Sequence, residues 1–316
     1  MIQNELISAA AKSGTSSTPR RDTQPEIGNE PQQFRYLVLW RILSFVLRAR
    51  WKRSFLFWCR FAANPLLTIR WWRFLADFTA ARGYPAPHDA LLQKPLSKFL
   101  VYGMPSSRRL ALLADHFQIA ERILSRDSLM KLWQGEWLNM GLIEGRTETY
   151  SCHIALADRF GGRHEGAFAV RLVRTRGMAL LCAGRFTLLR QGAHGSYTFV
   201  VGSMQGPRNG KRLTVEATRD LFGVRPKEAI LMVLQGLTVE GGMPHFFAIS
   251  EAKQPIQYRR AKRRSMLLSA INAFWAERSA KPENTYGFSV PKSVTTGTDG
   301  RSRSKLCFHT IGELFH

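Results

Sequence analysis

Four apolar runs decide the fold: TETYSCHIAL (147–156), GAFAVRLVR (166–174), GMALLCAGRFTLLR (177–190) and SYTFVVGSM (196–204). Each is short and has the β-branched, aromatic and small apolar residues that are typical of strands. The breaks between them, FGGRHEG (160–166), TRG (175–177) and QGAHG (191–195), are short and rich in glycine, as hairpin connections are. From about Glu148 to Ser203 the chain is therefore predicted to form a four-stranded antiparallel meander.

Helical periodicity surrounds this meander. Upstream, from about Pro65 to Leu142, the pattern is mainly helical, and SSRRLALLADHFQIAERILS (106–125) places its apolar residues on one face. Downstream, KRLTVEATRDLFGV (211–224) and RPKEAILMVLQGLTVEGG (225–242) predict a helix pair, PHFFAIS (244–250) a buried strand, and QYRRAKRRSMLLSAINAFWAERSA (257–280) a basic helix. KSVTTGTDGRSRSK (292–305) is predicted to be a polar loop.

These patterns predict an α+β fold, in which an N-terminal helical region is followed by an antiparallel meander with flanking helices. They also divide the chain into four parts. We expect a disordered N-terminal segment over 1–33, a basic, Trp-rich helical region over 34–142, an α+β core over 143–291 and a C-terminal tail over 292–316.

Composition restricts the class of partner. With 316 residues, of which 45% are hydrophobic, the chain is long and apolar enough to bury a core. Its 46 Lys and Arg against 23 Asp and Glu give a net charge of +23, which favours nucleic acid or an anionic membrane surface as a partner. The four cysteines are far apart, so buried reduced thiols are expected and neither a disulfide nor a metal site is indicated.

The basic region suggests where the protein works. Residues 1–33 lack the apolar stretch of a signal peptide, and arginines interrupt the apolar residues that follow, so no transmembrane helix is predicted. Residues 34–74 contain nine Lys or Arg, no acidic residue and five of the eight tryptophans. This suits a cytoplasmic protein that is peripheral on the inner membrane, bound to anionic lipid through 34–74. The same residues also suit a helix packed in the core, and single-stranded nucleic acid remains a third interpretation.

The segment FVVGSMQGPRNGKR (199–212) is a candidate anion site. It does not fit the nucleoside-triphosphate P-loop, because three residues rather than four separate Gly206 from Gly210 and Arg212 replaces the required Ser or Thr. A strand, a glycine turn and a helix start would still bring free backbone N–H groups onto an anion. The predicted ligands are Gln205, Gly206, Arg208, Gly210 and Lys211, with Arg225 and Lys227 at the start of the next helix.

Several of these motifs resemble the VirK/YbjX family of bacterial proteins. They are V-G-S-M-Q-G-P (201–207), L-F-G-V-R-P-K (221–227), S-S-R-R-L-A-L-L-A-D-H-F (106–117), Q-Y-R (257–259) and F-W-A-E (274–277). The resemblance implies an envelope- and virulence-associated protein that is linked to resistance against cationic antimicrobial peptides. Where the family tends to have an aromatic and an acidic residue before Phe-Trp, this chain has Ile271 and Asn272.

The order of elements in the C-terminal half looks like the acyl-CoA-binding core of the GNAT-like acyltransferases, which seat a pyrophosphate on such a turn. That likeness implies acyl-CoA as a ligand. Acyl transfer needs a general base and a general acid, and the candidates are Glu251, at the carboxyl end of the 244–250 strand, and Tyr258, at the start of the following helix. Glu251 and Tyr258 are equally compatible with surface roles. A non-catalytic regulatory or envelope-stress factor and a nucleic-acid-binding regulator therefore remain as alternatives, and the sequence leaves open whether the protein is an enzyme.

Overall fold

The computed structural model describes residues 61–94, 98–192, 195–258, 271–293 and 298–315, with separate positions between 36 and 59. The predicted disordered segment 1–33, Trp51 and the basic run 259–265 lie outside the described residues. The structure describes the 34–74 region only in part, and membrane attachment through it stays a prediction.

Among the described residues, helices come first, a run of five strands follows, and the C-terminal part mixes helices with short strands. The helices are α1 Pro65–Arg82, α2 Asp89–Leu92, α3 Ser106–Ile123, α4 Arg126–Trp133, α5 Lys211–Asp220, α6 Pro226–Leu237, α7 Ile271–Ala276 and α8 Gly300–Glu313. The strands are β1 Leu138–Glu144, β2 Thr149–Leu156, β3 Phe168–Arg174, β4 Ala179–Arg190, β5 Tyr197–Gln205, β6 His245–Ile249, β7 Lys281–Glu283 and β8 Gly287–Pro291. Short 3₁₀ turns include Ala157–Phe160, Glu251–Lys253 and Pro255–Tyr258.

All eight of these strands form one open, mixed sheet in the order β1-β2-β3-β4-β5-β6-β8-β7. Neighbours are antiparallel except β5 and β6, which run parallel. The predicted meander is confirmed as β2 to β5. The helical prediction up to Leu142 is wrong from Leu138 onward, because β1 pairs with β2 from Leu138↔Ile154 to Glu144↔Thr149. β1 lies at the edge of the sheet, where its backbone partners come from β2. A local sequence pattern does not reveal such partners.

Downstream of the meander the prediction holds for α5, α6 and β6, and the basic helix is recovered only as α7 among the described residues. The polar-loop prediction is wrong from Gly300 onward. There α8 begins, with the Asp299 side chain accepting a hydrogen bond from the Ser302 N–H at 2.9 Å. Ser304, Phe308 and Gly312 of this helix are buried. A side chain in place of Gly236 would meet the His309 carbonyl at 1.9 Å, so α6 and α8 pack backbone against backbone.

Aromatic side chains form the part of the core that joins the N-terminal helices to the sheet. Phe78 of α1 stacks on Trp133 of α4 with ring centroids 5.0 Å apart, and Phe117 of α3 meets Phe168 of β3 at 5.8 Å. The sheet holds Cys152 and Cys182 as buried free thiols, as predicted, and burial raises the pKa of each to about 12. Cys59 and Cys307 are exposed, so the expectation of burial is wrong for these two.

Tryptophans of the 34–74 region fall into two groups. Trp71 is 1% exposed and its indole N–H donates to the Leu91 carbonyl at 2.7 Å, so it belongs to the core, and Trp72 packs beside it. Trp40 and Trp58 are 67% and 50% exposed. Within the described part of the chain, no helix has both the length and the apolar character that crossing a bilayer demands.

Candidate functional site

The parallel pairing of β5 and β6 stops before β5 ends, because β6 ends at Ile249. Their register contains only Val200↔Phe247 and Val201↔Ala248, although β5 continues to Gln205. Directly after Val201, its last residue paired with β6, β5 has a bulge. Arg185 of β4 pairs with Ser203, but Phe186 pairs with Val201. The carboxyl ends of open parallel strands are where ligands usually bind in mixed sheets. The end of β5, which has no β6 partner, thus lies directly before the predicted anion turn.

A carboxylate that the sequence analysis did not single out lies at this bulge. Ser203 Oγ donates to Glu165 Oε2 at 2.5 Å, and Arg185 Nε lies 3.6 Å from the same oxygen. Arg185 also donates to the Phe160 carbonyl at 2.8 Å. Glu165 sits in the turn between β2 and β3, and the glycines of FGGRHEG were the only local signal of a close approach there. We refer to Glu165, Ser203 and Arg185 as the bulge cluster.

Two further loops border the same end of β5 and β6. The Leu100 N–H donates to the His164 carbonyl at 2.7 Å, and the Tyr102 N–H donates to the Lys253 carbonyl at 2.7 Å. These bonds join the segment before α3 to the turn that carries Glu165 and to the loop that follows β6. The loops and the bulge cluster therefore form one continuous rim.

Tyr258 is held on this rim by α3. Its hydroxyl oxygen accepts hydrogen bonds from an Arg109 guanidinium nitrogen and, at 3.2 Å, from the Gly103 N–H. Its ring lies edge-on to Tyr102 with centroids 4.7 Å apart. Because the oxygen already accepts two hydrogen bonds, the capacity that remains to the hydroxyl is that of a hydrogen-bond donor.

Glu251 lies at the start of the same loop. Its backbone N–H donates to Asn272 Oδ1 at 3.0 Å, and Gln257 Nε2 donates to its carbonyl at 3.1 Å. Asn272, which departs from the pattern of the family, thus caps this loop through its amide. The structure brings Glu251 and Tyr258 into one loop at the carboxyl end of β6, while their catalytic roles stay predictions.

The predicted strand, turn and helix of the anion motif are present. Gln205 ends β5 opposite Ala183, Asn209 adopts a left-handed conformation with φ 56°, Gly210 caps α5 and Lys211 begins it. The side chains of Gln205, Arg208 and Lys211 are exposed, so an anion could reach this turn. Binding there stays a prediction.

Arg225 and Lys227 are directed elsewhere. Arg225 is the N-cap residue of α6 and lies 3.6 Å from Glu277, while Lys227 Nζ lies 5.2 Å from the centroid of the Phe274 ring. Both partners belong to α7 or directly follow it. These two cations therefore already have neighbours that stabilise their charge, whereas Arg208 and Lys211 lie on the open side of the turn.

A cavity of about 470 Å³ lies between α6, α8 and β8. Lys292 lines it, and burial lowers the pKa of this amine to about 8 while Nζ donates to the Thr238 carbonyl at 2.9 Å. Lys305 in the same cavity is paired with Glu228 at 2.7 Å. No group of histidine, cysteine or acidic side chains in the described ranges is arranged to hold a metal ion.

Comparison with known proteins identifies a family and nothing closer. No curated protein and no solved structure matches the chain. A family model described as a protein of unknown function, DUF535, matches residues 47–298, which are 252 of the 316 residues. DUF535 is the VirK/YbjX family that the motifs around Gly206 and Pro226 resemble. The chain therefore belongs to the DUF535, or VirK/YbjX, family.

Proposed function

We propose that the protein is an acyl-CoA-dependent acyltransferase whose thioester enters between β5 and β6. The observation that carries this proposal is that β5 continues to Gln205, beyond its last register pair with β6, Val201↔Ala248. Beyond that pair the backbone N–H and C=O groups of β5 have no β6 register partner, and the pantetheine arm of CoA has amides that can pair with such groups. The exposed cations Arg208 and Lys211 then follow at the turn, where the pyrophosphate would lie.

The sheet order supports the same assignment. A meander is followed by a helical crossover to a parallel strand, and this strand is followed by an antiparallel pair, β7 and β8. This order is similar to that of the GNAT-like acyltransferases. Fold analogy alone does not assign chemistry, so the proposal depends on the residues at the carboxyl ends of β5 and β6.

Those residues can supply each proton transfer. An amine or hydroxyl of the acceptor attacks the thioester carbon, a C–N or C–O bond forms, and the C–S bond breaks. Glu251 takes the proton from the nucleophile, and Tyr258 donates one to the departing thiolate. Glu165 is the alternative base, since its carboxylate lies at the bulge that follows the last β5–β6 register pair.

Ligand binding tests the first part of the proposal. Acetyl-CoA and CoA should raise the melting temperature of the full chain, and the double substitution Arg208→Ala, Lys211→Ala should remove the rise. Arg219→Ala is the matched control, because it removes an exposed cation from the far end of the same helix. The proposal fails if millimolar CoA raises the melting temperature of neither the parent nor any variant. It also fails if CoA raises the melting temperature of all these proteins equally.

Transfer tests the second part. Thiol release from acetyl-CoA, measured over a panel of amine and alcohol acceptors, should fall in Tyr258→Phe and Glu251→Gln while the CoA-induced melting shift persists. Glu165→Gln separates the two candidate bases, since only substitution of the true base removes the transfer. CoA binding with no transfer to any acceptor would instead support the non-catalytic alternative.

We also propose that the 34–74 region attaches the protein to an anionic membrane surface through its exposed side chains. Trp40, Trp58, Phe55 and Leu47 are all at least half exposed, in a stretch rich in arginine. Indole rings suit the headgroup zone, and each cation near anionic lipid contributes about 1 kcal/mol.

Vesicle flotation tests this attachment. The protein should float with vesicles that contain phosphatidylglycerol more than with pure phosphatidylcholine, and Trp40→Ala, Trp58→Ala should reduce flotation. Trp137→Ala is the matched control, because Trp137 is 49% exposed outside this segment. Salt-sensitive binding to single-stranded RNA without flotation would contradict the membrane proposal and favour the nucleic-acid alternative.

A further inference from the structure

A second, separate cleft of about 300 Å³ lies on the face of the sheet formed by β2 and β3. We call it the β2–β3 cleft. His153 of β2 and Arg171 of β3, which are register partners, point into it. The lining also includes Trp137, Arg159 and Phe160. The proposed acyl transfer uses none of these side chains.

His153 offers this cleft a hydrogen-bonding group that has no partner of its own. The residue is 7% exposed, and its Nε2 lies 2.9 Å from Ser151 Oγ. Its Nδ1 is buried and has no hydrogen-bond partner among the described residues. Burial and, second, the charge of Arg171 lower the pKa of His153, so the imidazole is neutral. In the tautomer in which the Ser151 hydroxyl donates to Nε2, the proton is on Nδ1, which can then donate to a ligand.

Arg171 and Arg159 supply positive charge that the surrounding acids do not balance. The half-buried guanidinium of Arg171 lies over the Phe160 ring, 4.3 Å from its centroid. The nearby carboxylates are engaged elsewhere: Glu165 with Ser203 and Arg185, and Asp158 with Lys94 at 2.6 Å. In the part of the chain that the structure describes, no carboxylate comes within 4.0 Å of either Arg171 or Arg159. A partly desolvated cation of this kind is stabilised by an anionic ligand.

Trp137 gives the cleft a flat apolar wall. Its ring is 49% exposed, and its inner side contacts the His153 ring with centroids 4.7 Å apart. The rest of the indole remains open to the cleft. Stacking on such a ring adds about 0.5–1.5 kcal/mol beyond area burial, which favours a ligand with a flat ring of its own.

We propose that the β2–β3 cleft binds a small organic anion that carries a flat ring. The anionic group lies between Arg171 and Arg159, and the ring stacks on Trp137. An acceptor atom of the ligand accepts a hydrogen bond from His153 Nδ1–H. A carboxylate and a phosphate can both bind between two arginines, so the test compares ligands with each of these groups. The site is independent of the proposed acyl transfer and would persist if CoA binding were disproved.

Calorimetric titration of the full chain, in the absence of CoA, tests the proposal with five probes. Benzoate and phenyl phosphate have both a ring and a charge, benzamide has the ring alone, and acetate and inorganic phosphate have the charge alone. We expect at least one aromatic anion to bind about tenfold more tightly than benzamide and than its own ringless counterpart. Whichever of benzoate and phenyl phosphate binds more tightly identifies the anionic group.

Variants assign that binding to the cleft. Arg171→Gln should weaken it about tenfold or more, and Trp137→Ala about three- to tenfold. Arg176→Gln is the matched control, because it removes an exposed cation beyond the end of β3 and should leave binding unchanged. Because Trp137 is half exposed, its substitution still tests the site if Arg171→Gln fails to fold. Equal binding of benzamide, equal weakening by Arg176→Gln, or no heat from either aromatic anion at millimolar concentration would overturn the proposal.

Discussion

The carbonyl oxygen of Glu165 occupies the space that a side chain on Gly202 would need. An ideal Cβ at position 202 would lie 1.7 Å from that oxygen. The β2–β3 turn therefore contacts the backbone of β5 directly at its bulge, and this contact lets Ser203 reach the Glu165 carboxylate. A glycine in the middle of a strand is ordinarily unfavourable, so its presence here is explained by the close approach of another backbone.

Gly202→Ala should therefore destabilise the fold by about 1–3 kcal/mol, since neither backbone can retreat without breaking sheet pairing. Urea unfolding measures the loss. Gly206→Ala is the control, because its nearest neighbour, the Leu181 carbonyl, would lie 3.3 Å from the new Cβ. Equal losses in the two variants would mean that the contact with Glu165 is not the constraint.

His116 should make stability depend on pH. The residue is fully buried, its Nδ1 accepts the Leu188 N–H at 3.0 Å, and burial lowers its pKa to about 3. Between its ordinary pKa of about 6.5 and 3, the unfolded chain binds a proton that the native state excludes. Stability therefore falls as pH falls through this range, by about 1.4 kcal/mol per pH unit from this residue.

The variant His116→Asn keeps an acceptor for the Leu188 N–H but removes the titrating group. It should be less stable than the parent at pH 7, because aromatic packing against Phe168 is lost. The difference between the two proteins should narrow as the pH falls toward 4, when thermal unfolding is followed across that range. Parallel stability curves would contradict this account.

Lys292 should be unusually reactive toward acylating reagents. With its pKa lowered to about 8 by burial, about half of this amine is neutral at pH 8, and only the neutral form is a nucleophile. Limited labelling with acetic anhydride, followed by peptide mass spectrometry, should modify Lys292 before Lys305. The two amines share one cavity, but Glu228 holds the second as an ion pair at 2.7 Å. Faster labelling of Lys305 would contradict the prediction.

Two apolar residues of α8 test whether the C-terminal helix belongs to the core. Phe308 is fully buried, whereas Leu306, two positions earlier, is 55% exposed. Phe308→Ala should cost about 3–5 kcal/mol of stability, because it leaves a cavity against α6. Leu306→Ala should cost under about 0.5 kcal/mol. Chemical denaturation of both variants measures the contrast, and similar small losses would mean that α8 is dispensable for the fold.

Prediction from sequence succeeded where the pattern is local and long. The meander followed from apolar runs broken by glycine, and α5 and α6 followed from helical periodicity with Gly223 and Pro226 between them. It failed for β1, β7 and β8, which are short or lie at the sheet edge and are held by their neighbours. Prediction failed also for α8, because the polar residues before Phe308 gave no sign that this side chain is buried.

The candidate site shows the same division. Gln205, Arg208 and Lys211 could be named from one continuous motif, and Glu251 and Tyr258 from their position after a predicted strand. The bulge cluster could not, because Glu165 and Ser203 are 38 residues apart and meet only when the β2–β3 turn lies over β5. His153 and Arg171 likewise share a cleft only through strand register.

The sequence by itself determined the net charge of +23, the meander, the strand, turn and helix at 197–220, and the membership of a family. Only the tertiary structure decided that β6 lies parallel to β5 and pairs with it at two register positions. It also decided that Trp71 is buried while Trp40 is exposed. The physical reason is that periodicity and turn chemistry act over a few neighbouring residues, whereas strand pairing and burial depend on partners distant in the chain.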